Sequence, residues 1–223
     1  MKIDILTLFP DMFNGFLNES IIKRAIDKKK VAINVINFRE YSKLNNQQVD
    51  DTPYGGGAGM VLMCQPIVDA IEAIKTENSL VIMLTPQGKT YNQSTAKKLC
   101  QNYNHLILLC GHYEGFDERI NNFVDMSISV GDYVLTGGEI PAMIITDSVV
   151  RLIDDVINKD SYENDSFSNN LLDYPTYTKP QDFRGFKVPD ILLSGNHAKI
   201  DEWRLMIQKE KTKKCRPDLL DKK

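Results

Sequence analysis

Five short apolar runs alternate along the chain with segments whose apolar residues recur at helical spacing. The apolar runs are typical of buried strands and cover residues 3–9, 31–38, 80–85, 106–111 and 126–130. The helical segments cover residues 10–29, 65–75, 92–101, 117–123 and 140–157. This alternation predicts an α/β fold with a mainly parallel sheet and helices on both of its faces.

The composition changes after residue 157. Residues 158–170 are rich in Asn, Asp and Ser and contain few apolar side chains, which is typical of a linker. We therefore expect an α/β domain over residues 1–157, a flexible linker over 158–170 and a small domain over 171–223. A helix from about His197 to Ile207 is predicted in the small domain, with Ser194, Gly195 and Asn196 supplying its N-terminal cap.

Three glycine-bearing loops follow directly on three of the apolar runs. They are Thr-Pro-Gln-Gly at 85–88, Gly-His-Tyr-Glu-Gly at 111–115 and Gly-Asp-Tyr-Val-Leu-Thr-Gly-Gly at 131–138. If the strands are parallel and adjacent, the loops meet at the carboxyl edge of the sheet, where α/β proteins bind small molecules. Neither the dinucleotide pattern G-x-G-x-x-G nor the P-loop pattern occurs. A fourth glycine-rich stretch, residues 54–60, follows turn-like residues 50–53 and predicts a flexible loop against which another segment packs closely.

The composition excludes several classes of protein. The chain has 223 residues, of which 42% are hydrophobic and 26% are charged, as in an ordinary soluble domain. The apolar runs are shorter than the roughly 20 residues of a membrane span. The four cysteines show no C-x-x-C spacing and the first residues lack a secretory pattern, so we expect a cytoplasmic protein. The three histidines are scattered, and no metal site is predicted.

The charge is unevenly distributed. The net charge is −3, but residues 179–216 contain ten Lys and Arg against five Asp and Glu. A basic C-terminal segment can attract the phosphates of a polyanion even in an acidic protein. The candidates for such contacts are Lys199, Arg204, Lys209, Lys211, Lys213, Lys214 and Arg216.

Five motifs in order along almost the whole chain resemble the bacterial tRNA (guanine-N1)-methyltransferases, which methylate the guanine immediately 3′ of the anticodon, position 37. The motifs lie at residues 6–10, 54–60, 110–119, 131–139 and 192–197. The resemblance implies a knotted methyltransferase of the SPOUT type, with a trefoil knot that binds S-adenosylmethionine. It also implies a homodimer with active sites at the subunit interface, and a small helical C-terminal domain that holds the tRNA. Mg²⁺ is implied as well, although no carboxylate cluster in the sequence predicts its site.

The resemblance assigns a set of residues to the cofactor. They are Thr85, Pro86, Gly111, Tyr113, Glu114, Val130, Gly131, Asp132, Tyr133, Val134, Leu135, Gly137 and Gly138. Glu114 contacts either the cationic part of the cofactor or the edge of the guanine, and both tyrosines are equally consistent with packing roles. His112 stands where arginine is common in the family, and Thr85 where serine is common. A neutral His112 would remove one positive charge near the pocket.

Two residues are the catalytic candidates by match to the family motifs. Asp165 is the candidate general base for the proton of guanine N1, and Arg151 is the candidate to stabilise negative charge on O6 or to orient Asp165. The plainer interpretations are a solvated linker carboxylate and a helix-surface ion pair with Asp154 or Asp155. An exposed aspartate is a weak base at neutral pH, so we expect residues 158–170 to become ordered when tRNA binds.

Two other functions are compatible with the same residues. A related knotted methyltransferase could modify a ribose 2′-hydroxyl, which needs no base for a guanine imino proton. A non-catalytic RNA-binding module could retain the fold, although the glycine loops with Arg151 and Asp165 weigh against it.

Overall fold

The computed structural model describes residues 1–158 and 165–220. The chain divides into two compact units, Met1–Ile157 and Asn158–Lys223. Residues 159–164 are not described, and they belong to the predicted linker.

The first unit is built on a five-stranded sheet. Its strands are β1 (Lys2–Thr7), β2 (Ala32–Asn37), β5 (Ser79–Thr90), β6 (His105–Cys110) and β7 (Met126–Ser129), in the order β2-β1-β6-β5-β7. All four neighbouring pairs are parallel, so the predicted parallel α/β sheet is confirmed. Two further short strands, β3 (Asp50–Asp51) and β4 (Val61–Leu62), form an antiparallel pair.

Helices cover the sheet. They are α1 (Asn14–Leu17), α2 (Ser20–Asp27), α3 (Cys64–Ile74), α4 (Gln93–Asn102) and α5 (Glu139–Val150). Because side chains alternate along a strand, β6 supplies Leu106 and Leu108 to one core and Ile107 and Leu109 to the other. The first core also contains Ala142, Ile145 and Val149 of α5, and the second contains Ile67, Ala70 and Ile71 of α3.

A polar network ties the amino ends of the central strands together. The buried carboxylate of Asp4 in β1 accepts hydrogen bonds from Lys2 Nζ at 2.6 Å and Asn34 Nδ2 at 2.7 Å, and lies 2.8 Å from His105 Nε2. Nδ1 of His105 lies 2.7 Å from Ser79 Oγ. Burial alone would raise the pKa of Asp4, but the hydrogen bonds from Lys2, Asn34 and His105 outweigh burial and lower it.

Three predicted helices differ from the observed ones. Residues 10–29 form a 3-10 turn (Pro10–Phe13), α1 and α2 instead of one helix, because Ser20 adopts a left-handed conformation with φ of 52°. The segment predicted over 117–123 is a 3-10 helix, Glu118–Phe123, capped by the side chain of Asp117. Helix α5 was predicted over residues 140–157 but ends at Val150. Arg151 is therefore its C-cap residue, whereas the prediction placed it within the helix.

In residues 165–220 the second unit contains a long helix and a small hairpin. Strands β8 (Asp182–Phe183) and β9 (Phe186–Lys187) are antiparallel, and α6 (His197–Cys215) begins at the predicted Asn196 cap but runs eight residues beyond the predicted end at residue 207. Residues 165–173 are held by this unit: the Leu172 N–H donates to Thr212 Oγ1 of α6 at 2.8 Å, and the Asp173 N–H donates to Ser166 Oγ at 3.0 Å.

Among residues 1–158 and 165–220, no helix has the length and apolar character needed to cross a membrane.

Candidate active site

The three glycine-bearing loops meet at the carboxyl edge of the sheet. Strands β6, β5 and β7 are neighbours, and the loops at their carboxyl ends surround one cavity of about 650 Å³. The predicted juxtaposition of the loops is therefore present in the structure.

The first wall of the cavity is an excursion of strand β5. Leu84 and Lys89 both pair with Ile128 of β7, so residues 85–88 leave the sheet and return to it. The strand was predicted to end at residue 85, whereas it resumes and continues to Thr90. Thr85, Pro86 and Gln87 of the excursion line the cavity.

The second wall is the loop after β6, which is held by the β3–β4 hairpin. The Leu62 N–H donates to the Gly115 carbonyl at 2.9 Å, and the Glu114 N–H donates to the Met60 carbonyl at 3.0 Å. The side chain of Glu114 fills the space beside Gly59, where a Cβ would touch it. The glycine-rich stretch at 54–60 thus connects β3 to β4. A close packing partner was predicted for it without being identified, and the structure shows that this partner is the side chain of Glu114.

The end of this second loop carries a rigid ion pair. Arg119 donates to both carboxylate oxygens of Asp117, from Nε at 2.9 Å and from Nη2 at 2.6 Å. These charged hydrogen bonds outweigh partial burial and hold the pKa of Asp117 well below its usual range. Asp117 also caps the following 3-10 helix, so the loop has fixed ends.

The third wall leads into helix α5 through Gly137 and Gly138. At Gly138 its backbone lies very close to the backbone of Cys110 and Gly111. The Gly138 N–H donates to the Gly111 carbonyl at 2.8 Å. A Cβ on Gly138 would lie 2.6 Å from the Cα of Cys110, which no real side chain tolerates. The floor of the cavity is therefore made of backbone that only glycine at this position permits.

A buried polar group lies beneath this floor. Glu139, the first residue of α5, is buried and its Oε1 accepts a hydrogen bond from Thr7 at the end of β1. A Cβ on Gly137 would contact Glu139 Oε2 and would lie 3.0 Å from Nδ1 of His112. Burial, together with the nearby charge of Glu139, raises the pKa of the Cys110 thiol well above its ordinary value.

His112 lines the cavity and contains a buried ring nitrogen without a hydrogen-bond partner among the described residues. Its ring packs against Phe9 and Tyr113, with ring centroids 4.7 and 4.8 Å away. Nδ1 is buried and has no hydrogen-bond partner among the residues that the structure describes. Buried polar atoms in native proteins are normally paired, so this nitrogen is an exception within the wall of the cavity.

The outer rim of the third wall is more open. Tyr133 folds back over Gly131, and its hydroxyl donates to the Val130 carbonyl at 3.3 Å. Ser129 Oγ is bonded within the same turn to the N–H and the carbonyl of Gly131. Tyr133, Val134 and Leu135 are exposed beside the cavity. These three side chains therefore form a solvent-facing part of the rim.

All the residues predicted to bind the cofactor line the cavity except one. Asp132 is exposed and does not line it. Of the two catalytic candidates, Arg151 is half-buried in the first unit, outside the lining, and its N–H donates to the Asp147 carbonyl at 3.1 Å. Asp155, one of its predicted surface partners, pairs with Lys30 at 2.6 Å.

Asp165 belongs to the second unit. It is half-buried, and its carbonyl accepts from the Ser168 N–H at 3.1 Å, so it is part of a turn. Residues 158–170 were predicted to become ordered when tRNA binds, and residues 159–164 of that segment lie outside the described residues.

Several residues of the site were not predicted. Phe116, Asn121 and Ser127 line the cavity, and Thr7 and Glu139 support it from below. The sequence held one signal for Glu139, an acidic residue directly after two glycines at the start of an apolar helix. Nothing local marked Thr7 as its partner.

The basic candidates on the second unit fall into two groups. Three of them are engaged within that unit: Arg204 lies over the Tyr174 ring at 4.7 Å, Lys211 donates to the Asp173 carbonyl at 2.9 Å, and Arg216 pairs with Asp218 at 2.7 Å. Lys199, Lys209, Lys213 and Lys214 are exposed along α6. The exposed group remains available for contacts with phosphates.

No cluster of three or more His, Cys, Asp or Glu that could hold a metal ion occurs in residues 1–158 and 165–220.

Comparison with known proteins gives a consistent family. The family model described as tRNA (Guanine-1)-methyltransferase TrmD matches residues 1–222. A tRNA (guanine-N(1)-)-methyltransferase of Malacoplasma penetrans is 61% identical over 222 residues, covering 100% of this chain and 98% of that protein. Proteins of the same name from Mycoplasma capricolum and Bacillus pumilus are 56% and 55% identical, and each alignment covers 99% of this chain and 92% of the relative.

Proposed function

Since the chain belongs to the tRNA (guanine-1)-methyltransferase family, we propose that it transfers a methyl group from S-adenosylmethionine to N1 of the guanine immediately 3′ of the anticodon, position 37, in tRNA. We place this reaction in the cytoplasm, in keeping with four cysteines that are all free thiols.

One observation carries the proposal: the three loops enclose a cavity whose floor is bare backbone. Its volume of about 650 Å³ falls within the range of about 300–1,000 Å³ that small-molecule sites occupy. Gly111, Gly137 and Gly138 have no side chains, so at these positions the wall of the cavity is backbone, held together by the hydrogen bond from the Gly138 N–H to the Gly111 carbonyl. These features fit a nucleoside-bearing cofactor.

S-adenosylmethionine, when bound, supplies an electrophilic methyl group on a positively charged sulfur. The chain's own task is to hold the guanine in line with that methyl group and to remove the proton from N1. Glu114 lies at the cavity, with its backbone fixed by Met60 and its side chain against Gly59. We assign it to the contact with the guanine edge or with the cationic part of the cofactor.

Asp165 is our candidate for the proton acceptor. This assignment rests on the match of Asp165 to the family motif. We propose that residues 158–170 become ordered with tRNA and bring Asp165 of one protomer to the cofactor of its partner.

Arg151 is our candidate for charge stabilisation. At the C-cap of α5 its backbone is fixed by the hydrogen bond to Asp147. A planar guanidinium held from a fixed backbone suits the negative charge that develops on guanine O6, or the orientation of Asp165.

The homodimer and the trefoil knot are parts of the same proposal. Ile140 and Ile144 are exposed on α5 beside the cavity rim, which favours burial against a second protomer. After β7, at the edge of the sheet, the chain returns to pass against Cys110 and Gly111, and α5 packs beside α4, β1 and β6. This return path supports a threaded chain. We assign residues 171–223 to tRNA binding, in keeping with the exposed lysines of α6.

The decisive experiment is transfer of a labelled methyl group from S-adenosylmethionine to two tRNAs that differ only in having guanine or adenine at position 37. We expect transfer to the guanine tRNA alone, with the label at base N1 after nucleoside digestion. Label on a ribose 2′-oxygen would indicate the related ribose methyltransferase, and no binding of S-adenosylmethionine would indicate a non-catalytic RNA-binding protein.

Variants of the two catalytic candidates complete the test. Asp165→Asn and Arg151→Ala should each lower kcat by at least about a hundredfold, as is usual for a lost acid–base or electrostatic group. Binding of S-adenosylmethionine, followed by calorimetry, should stay within a few-fold of the wild type. Arg151→Lys should remain impaired, because a point charge does not reproduce the planar fork.

A further inference from the structure

The β8–β9 hairpin of the second unit presents two aromatic rings to solvent. Phe183 and Phe186 are directly opposed across the two strands, and their side chains are therefore on the same face. Phe183 is 59% exposed and Phe186 is 81% exposed. They make little contribution to the core of the unit. Together they form an exposed apolar patch, which is a feature of binding surfaces.

The hairpin is built to hold these rings in place. Arg184 and Gly185 form the two-residue turn with φ of 56° and 87°, the left-handed pair that matches the twist of a hairpin. The Gly185 N–H donates to Asp182 Oδ1 at 2.9 Å, and the Val188 N–H donates to the Gln181 carbonyl at 3.0 Å. The turn and both ends of the ribbon are thus fixed by hydrogen bonds.

The charge of the hairpin indicates the partner. Arg184 and Lys187 are its cations, and its one carboxylate, Asp182, is already bonded to the turn. The guanidinium of Arg184 lies 5.2 Å from the centroid of the Phe183 ring, so a second flat surface adjoins the aromatic pair. Flat rings next to cations are the combination that binds unpaired nucleic-acid bases together with their phosphates.

We propose that Phe183, Phe186 and Arg184 form a stacking platform for unpaired bases of the RNA substrate. The proposal rests on the proposed function, because it takes the RNA to be the tRNA that the enzyme modifies. It assigns the contact to base faces rather than base edges, so it predicts little preference for sequence. Lys187 and Arg184 supply the accompanying contacts with phosphates.

Three substitutions of Phe186 test the platform. Phe186→Ala and Phe186→Leu should each weaken binding of an anticodon stem-loop RNA by roughly tenfold, whereas Phe186→Trp should bind as tightly as the wild type or more tightly. Leucine is the discriminating change, because it retains apolar area and removes the aromatic face. Affinity is measured by fluorescence anisotropy with a labelled stem-loop and with a blunt duplex that has no loop. The duplex should show no difference among the three variants.

Controls separate this inference from the proposed function. Phe123→Leu changes another exposed aromatic ring, in the first unit, and should leave RNA affinity unchanged. Methyl transfer by the wild type and calorimetric binding of S-adenosylmethionine by each variant report on the proposed function independently. Wild-type stem-loop affinity in both Phe186→Ala and Phe186→Leu would overturn the platform. A change of oligomeric state on sedimentation, with RNA affinity intact, would overturn it in favour of contact with a second copy of the chain.

Discussion

Thr7 bridges the end of β1 and the start of α5: its hydroxyl donates to Glu139 Oε1 at 2.7 Å and accepts from the Phe9 N–H at 2.9 Å. The two hydrogen-bonded side chains are 132 residues apart in the chain, and both are buried. Glu139 lies under the glycine floor of the cavity, so this bond holds the floor to strand β1 of the sheet.

Thr7→Val should therefore destabilise the protein. The substitution keeps the shape but leaves a buried carboxylate oxygen and an N–H without their partner, which costs about 1–3 kcal/mol. Urea denaturation measures the loss, and Thr7→Ser should recover most of it. The matched control is Thr146→Val on α5, since the buried Thr146 hydroxyl has no partner among the described residues and should be replaceable at little cost. Equal stability of the Thr7→Val and Thr146→Val proteins would contradict this role.

Gly138→Ala should disrupt the cavity. The added methyl group would lie 2.6 Å from Cys110 Cα and 2.9 Å from Gly111 N. Both are backbone atoms, so no side-chain rotation can relieve the clash. We expect at least about a tenfold loss of affinity for S-adenosylhomocysteine by calorimetry, or loss of the folded state on thermal melting. Gly15→Ala is the control, because its Cβ would meet nothing within 4 Å. A Gly138→Ala protein with normal affinity and melting temperature would show that the backbone of Cys110 and Gly111 can shift to accept the methyl group.

Stability should decrease at high pH through Tyr91. Burial raises the pKa of Tyr91 from 10.0 to about 12, even though its hydrogen bond with Ser148 acts in the opposite direction. The folded state therefore resists loss of the phenol proton while the unfolded state does not. This stabilisation is complete below pH 10 and is lost as the pH rises towards 12. Absorbance near 295 nm follows the ionisation, and Tyr91→Phe should remove the high-pH component.

Stability should decrease at low pH through Asp4. Its pKa is lowered in the folded state, so its contribution is present above the unfolded value of 3.8 and is lost as the pH falls through the folded value. We expect Asp4→Asn to destabilise the protein at pH 7, where the charged bonds to Lys2 and His105 are broken. The difference from the wild type should shrink below pH 3.8. Urea denaturation at pH 7, 5 and 3 measures it, and a difference independent of pH would contradict the assignment.

Local patterns in the sequence predict the sheet well. Each buried strand is a short apolar run, and each glycine-bearing loop follows one of them. The convergence of residues 85–88, 111–115 and 131–138 was therefore expected on the condition that the three strands are parallel and adjacent, as they are. The helices were less predictable, because apolar spacing does not reveal a left-handed residue such as Ser20 or the end of α5 at Val150.

Long-range contacts were outside the reach of the sequence. The bond between Thr7 and Glu139 and the close approach of Gly138 to Cys110 depend on how the chain returns to the sheet after β7. Likewise, Arg204 has the positive charge expected of a residue that contacts RNA, but its guanidinium lies over the Tyr174 ring. Only the tertiary structure reveals this contact.

The excursion at residues 85–88 has a mechanical consequence. Strand β5 is hydrogen-bonded to β7 on both sides of it, at Leu84 and again at Lys89 and Thr90. A segment of four residues that is bonded into the sheet at both ends has little backbone length with which to change its position. Any adjustment of the cavity to a bound molecule is therefore expected in the other walls, and above all near Val134, which is highly exposed to solvent.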